Sequence, residues 1–167
     1  YEGAQPAAEL LLLYPRSAVR RGDLEPVARF KTIGHQLARA GYVFDIVPDD
    51  IMTEAQISSR RAVVDCDPSA SSKLAPPVLR LAVAVAPETD AVTKWRKELA
   101  SVTRREGAPT VVASVLSQPK RKLVHLVNYN REEPPKTRAM GSGPHEEKPL
   151  AVEGTTIRLE DRPCVAS

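Results

Sequence analysis

The stretch ELLLLYPRSAVRRGDLEPVARFKTIGHQLARAGYVFDIVP, residues 9–48, sets the fold class. It opens on a continuous apolar run, Leu10 to Leu13, stopped by Pro15. A run this short, with no polar residue alternating through it, suits a strand covered on both faces. In the stretch after Gly22, the residues Leu24, Val27, Phe30, Ile33, Leu37 and Ala40 fall near one face of a helix. Asp23 is placed to cap that helix, Pro26 is tolerated in its first turn, and Gly41 is a natural stop. The segment YVFDIVP follows at once as a second strand. Strand, helix and strand in this order make a βαβ unit, which forms a right-handed parallel crossover.

On the C-terminal side, DDIMTEAQISSR reads as a short helix capped by Asp50 or Thr53, and RAVVDCDP as a third strand. Residues 1–67 therefore read as the opening part of a shortened doubly wound, flavodoxin-like α/β domain with a parallel sheet. The pattern then changes. DPSASSKLAPP has linker composition, and VLRLAVAVAP could be a strand, so 68–86 reads as linker with a strand. Residues 87–167 read as a helix followed by a β-rich antiparallel segment. In TDAVTKWRKELASVTRREG, the residues Val92, Trp95, Leu99 and Val102 form one stripe, which Gly107 and Pro109 end. TVVASVL and KLVHLVNYN flank SQPKR, which reads as an antiparallel hairpin. REEPPKTRAMGSGPHEEKP reads as a long loop, and LAVEGTTIRLE returns to strand character.

The totals narrow the function classes. The chain has 167 residues, 42% of them hydrophobic, which supports one ordinary domain or two small ones. A net charge of +3 spread along the sequence points to no acidic partner. The basic stretches TRREG and PKRKL are short, have acidic residues close by and lack interleaved aromatics, which argues against nucleic-acid binding. No apolar run has the roughly 20 residues of a membrane span. Two cysteines, Cys66 and Cys164, give neither a disulfide framework nor a metal-site spacing. Because the first residue is Tyr1, the chain is expected to be processed or a piece of something longer.

Candidate chemistry is sparse. Asp45, Asp49 and Asp50 are expected around the C-terminal end of the second strand, the edge where open α/β sheets bind ligands. Paired carboxylates there could hold a hard cation or move protons; they also suit a strand end and a helix cap, and capping is the favoured reading. Cys66 lies between two aspartates, whose charge disfavours a thiolate, and no glycine beside it permits a nucleophile elbow. His125 sits among apolar strand neighbours and reads as a wall residue. His145, Glu146 and Glu147 fall in the Gly/Pro loop, which is poorly suited to holding a general base. RSAVRRGDLEP carries one glycine, too few for a phosphate cradle. No catalytic residue, cofactor site or metal site is assigned.

LLLYPRSAV, LARAGYVFDIVPDDIMTEAQI and RAVVDCDP, taken in this order, resemble the glutamine-amidotransferase-like domain beside the catalytic barrel of many glycoside hydrolases, including β-galactosidase-like families. KRKLVHLVNYN resembles the first strands of the small all-β domain that often closes those enzymes, and EKPLAVEGTTIRLE a further strand of it. The resemblance implies a non-catalytic C-terminal portion of a carbohydrate-active protein with a structural or assembly role. Its implied partner is a catalytic barrel or another subunit, with carbohydrate nearby. It does not extend catalytic status to Cys66, His145 or Glu147, because the glycine-flanked elbow of a working amidotransferase is missing. A freestanding α/β ligand-binding or enzymatic domain using Asp45, Asp49 and Asp50 is the competing expectation.

Overall fold

Four consecutive leucines, Leu10 to Leu13, carry at most 2% exposure each and form the centre of the first sheet. The computed structural model describes residues 2–67, 97, 99–100, 102–130 and 150–159, and they build three small sheets. In chain order the elements are β1 (Gln5–Pro6), β2 (Leu10–Tyr14), α1 (Arg16–Arg20), α2 (Glu25–Arg39), β3 (Phe44–Pro48), α3 (Glu54–Ser58) and β4 (Ala62–Val64). They continue with β5 (Arg105–Glu106), β6 (Val111–Gln118), β7 (Arg121–Asn128) and β8 (Thr156–Ile157).

The parallel sheet has the order β3-β2-β4, with Leu10 opposite both Phe44 and Ala62. The first strand in the middle is the doubly wound arrangement: the β2-to-β3 and β3-to-β4 crossovers run in opposite directions across the sheet, and α2 and α3 cover opposite faces. Leu10 and Leu12 pack with Ile33 and Leu37 of α2, while Leu11 and Leu13 pack with Val63, Met52 and Ile57 on the other face. Each fully buried leucine is worth about 1.5–3 kcal/mol before chain entropy is counted. α2 comes close to the sheet at Gly34, where a Cβ would lie 3.3 Å from Leu12 Cδ2.

Helix ends follow local chemistry, with one correction. α2 begins from Leu24 and has no side-chain cap; Asp23 stands one residue earlier and accepts from the Glu25 amide at 3.1 Å. α2 ends in a Schellman motif. Gly41 has φ +84°, its amide donates to Ala38 and the Tyr42 amide donates to Leu37. α3 is capped by Thr53, not Asp50, through a reciprocal capping box with Gln56. α1, between β2 and α2, has no counterpart in the sequence reading.

The second sheet has the antiparallel order β1-β6-β7. The hairpin loop is shorter than the SQPKR reading: Gln118 pairs with Arg121, leaving only Pro119 and Lys120 in the turn. Neither residue has positive φ, so the turn is not the primed type usual for two-residue hairpins. Proline fixes the first loop residue near −65°. The third sheet pairs β5 with β8. The helix expected to run to Gly107 has ended before Thr103. The chain there is extended, with the Thr103 carbonyl accepting from Val43 N and the Arg105 amide donating to the Gly41 carbonyl at 2.7 Å. Leu99 and Val102 join the core of the parallel sheet, whereas Val92 and Trp95 of the same stripe lie outside the described residues, as do VLRLAVAVAP and the long loop. Among the described residues no helix is long and apolar enough to cross a membrane.

Candidate functional site

Ligands of open α/β sheets sit beyond the carboxyl ends of the strands, where the order reverses. Here the reversal lies between β2 and β4. The residues following these strands are Pro15, Arg16 and Ser17 on one side, and Asp65, Cys66 and Asp67 on the other. The crevice is closed by the protein's own charges. Asp67, with 1% side-chain exposure, accepts from Arg21 Nη2 at 2.8 Å, and the Asp67 amide donates to Asp65 at 2.9 Å.

The three carboxylates expected to cluster do not converge. Asp45 is the second residue of β3, paired in register with Leu11, and not at the strand's C-terminal end. Four residues of strand, about 13 Å, separate it from Asp49. Its Oδ2 accepts from the Ala8 amide at 3.2 Å and pairs with Arg60 Nη1 at 3.0 Å. Burial raises its pKa, and the Arg60 charge offsets only part of that. Asp49 accepts from the Ser17 amide with both oxygens, at 3.0 and 3.3 Å. It is therefore a cap supplied to α1 by a neighbouring loop, since Pro15 offers that helix no side-chain acceptor. Asp50 pairs with Arg16 at 2.7 Å and Arg20 at 2.6 Å, one helical turn apart on α1. The Arg16 hydrogen bond holds its pKa below the ordinary value, and both guanidinium charges act in the same direction. The capping role weighed for these aspartates is realised at Asp49, but on a helix the sequence did not announce.

Cys66 is 2% exposed, within the cluster that holds Leu10 and Leu12. Burial, then the Asp65 charge, push its thiol up to about 12. A thiolate nucleophile needs the opposite shift. Among the described residues no group of three or more His, Cys, Asp or Glu side chains is placed to hold a metal ion. His145, Glu146 and Glu147 lie outside the described residues. A cavity of about 30 Å³ beside Glu9, Thr103 and Lys122 has room for little more than a water. Glu9 is committed there: Oε2 accepts from the Thr103 amide and hydroxyl at 2.7 Å each, and Oε1 faces Arg61 at 2.9 Å.

The hairpin offers a different surface. His125, opposite Ser114, shares its face of the sheet with Leu116, Leu123, Val112 and Val127. It is half-buried, as a wall residue would be. The wall itself stands open. Val112 of β6, Val124, Leu126 and Val127 of β7, and Tyr129 just after it are between 39% and 59% exposed, on both faces of the hairpin. The run KLVHLV does not alternate and so asks for cover on two sides, without saying what supplies it.

A scan against protein-family models matches none, and searches of curated proteins and of solved structures return no significant match.

Proposed function

We propose that this chain is a non-catalytic structural module, the C-terminal portion of a glycoside-hydrolase-like protein, which packs against a catalytic barrel or another subunit. The observation that carries this reading is the exposed apolar hairpin. Five large apolar side chains stand open on one two-stranded unit, a density that marks interaction surfaces. The polar groups at the edge of the parallel sheet support it from the other direction. Asp49 caps, Asp50 and Asp67 pair with arginines, and the Cys66 thiol stays protonated. The order of the resembling segments supplies the class of neighbour, a barrel acting on carbohydrate.

The test is the encoding reading frame extended upstream of Tyr1. The expected product carries a βα barrel pattern. Leu126→Lys with Val127→Lys should lower the melting temperature of the joined protein more than that of this chain alone. A start signal at the chain's beginning, or equal effects of the double variant on both proteins, refutes the reading. Saturable binding of a metal ion or small metabolite, lost in Asp49→Asn with Asp50→Asn, would favour a ligand-binding domain in its place.

A further inference from the structure

We propose that Arg105 and Thr155 hold a small carboxylate anion on the inward face of the third sheet. The site goes beyond the docking reading and uses a different surface.

The ladder sets the face. Arg105 lies opposite Ile157 and Glu106 opposite Thr156, so by continuation Gly107 falls opposite Thr155. Alternation puts Arg105, Ile157 and Thr155 on one side. That side turns inward, because Leu159, two residues beyond Ile157, packs with Ala8, Val43 and Val115. Arg105 is 3% exposed, and its Nη1 donates to the Ala108 carbonyl. Ala108 follows Gly107, so the guanidinium leans toward the Thr155 end of the ladder. The diagonal between such positions is about 7–8 Å, within reach of a long side chain. Gly107 itself lies directly on that end: a Cβ there would stand 2.9 Å from the Thr155 Cα.

Both side chains lack the partner that such burial calls for. A buried charge is ordinarily paired. Among the described residues no carboxylate reaches Arg105, and burial lowers its pKa with no neighbouring negative charge to offset the shift. One of its five N–H donors is taken, by Ala108. Thr155 Oγ1 is buried with no hydrogen-bond partner. An oxyanion between the two would accept from both.

Charge selects the anion. Arg105 carries a single positive charge. Its Nη2 would lie 3.4 Å from a Gly41 Cβ, at the C-terminal end of α2, where the helix dipole is negative. One carboxylate neutralises the site, its two oxygens match the guanidinium fork, and a remaining lone pair takes the Thr155 hydroxyl. A phosphate dianion would leave excess negative charge facing the helix end.

Acetate is the probe, titrated into the whole chain at neutral pH against chloride of equal ionic strength. Amide resonances of Gly107, Ala108 and Thr155 should shift and saturate, with a Kd of about 1–10 mM for a ligand of so few atoms. Phosphate should bind at least about fivefold more weakly. Thr155→Val removes a hydroxyl that bonds nothing in the free protein, so the melting temperature should not fall, while acetate binding weakens at least about fivefold. Arg105→Lys keeps the charge, loses the fork and should weaken binding further; if that variant does not fold, Thr155→Val decides. Shifts that do not saturate, phosphate binding equal to acetate, or unchanged acetate affinity in Thr155→Val overturns the site. Asp49→Asn with Asp50→Asn should bind acetate as the wild type does; loss of binding in that pair moves the anion to the edge of the parallel sheet and overturns the assignment as well.

Discussion

Single residues in this protein are constrained mostly by what touches them across the fold. Gly41 is the sharpest case. Its φ of +84° belongs to glycine, and a Cβ there would lie 2.2 Å from the Arg105 carbonyl oxygen. Gly41→Ala should cost about 2 kcal/mol or more in urea denaturation, since strain and collision add; a loss under ~0.5 kcal/mol would show that the 104–106 segment does not hold this position. Cys66 gives a chemical test. With its thiol at about 12 and buried, iodoacetamide at pH 8 should label the Cys66 peptide only as fast as the protein unfolds. Rapid labelling of the native protein would contradict the packing around β4. The aspartates separate by sign. Asp50 has a lowered pKa, so its contribution is present above the ordinary carboxylate range and is lost as pH falls through its folded value. Asp45 has a raised pKa, so its ionisation opposes folding as pH rises from the ordinary range through the raised value. In stability measured against pH, Asp50→Asn should fall behind wild type near neutrality and converge with it in acid. Asp45→Asn retains an oxygen for the Ala8 amide and should move ahead of wild type over the window where Asp45 ionises. Parallel curves for the two variants would refute both assignments.

At the scale of elements, α1 shows what one sequence can conceal. Five residues, RSAVR, have no apolar stripe to read and no capping side chain before them. The helix exists because a carboxylate 32 residues away, Asp49, takes the Ser17 amide, and Asp50 straddles Arg16 and Arg20. Asp49→Ala should therefore destabilise by about 1 kcal/mol, the usual worth of a cap. Hydrogen exchange should speed up in 16–20 before it changes in α3; unchanged protection there would detach Asp49 from the helix. By contrast β2, α2, β3 and β4 were legible. Their signals are local: an unbroken leucine run, a 3.6-residue stripe with a glycine stop, and two short apolar runs after turn residues. The capping box of α3 was legible as a pair of choices, of which Thr53 is realised because Gln56 stands three residues on. What escaped was set by distant contacts. Asp45 reads as a strand-end residue because YVFDIVP does not reveal where pairing begins; the register with Leu11 places it far from Asp49. The segment 103–106 has helical composition, yet its carbonyls and amides serve Gly41 and Val43. Exposure of the hairpin could not be read either, because a non-alternating strand says that cover is wanted and not whether this chain supplies it.

For the whole molecule, the sequence suggests a break after residue 67, and the packing runs across it. Leu99 and Val102 lie against Leu10, Leu12, Ile33 and Leu37. Glu9, at the head of β2, accepts two hydrogen bonds from Thr103, and Ala8 and Val43 share a small core with Val115 of the hairpin. β1 leads into β2 while pairing with β6, so the first strand of one sheet is the covalent neighbour of the central strand of the other. Two units joined this way should lose structure together, because opening either exposes apolar surface of the other. Urea unfolding should then give coincident midpoints for exchange of β2–β4 amides and of β6–β7 amides. Leu99→Ala, which leaves a cavity against β2, should cost about 2–5 kcal/mol and move both midpoints equally. A fragment comprising 1–67 would expose the Leu10, Leu12 and Leu37 surface that Leu99 and Val102 cover, and should lack a cooperative transition. If that fragment melts sharply by itself, or if the hairpin amides exchange at a lower urea concentration than the parallel sheet, then the contacts through Glu9, Leu99 and Val102 do not couple the two sheets, and each must be treated as a separate folding unit.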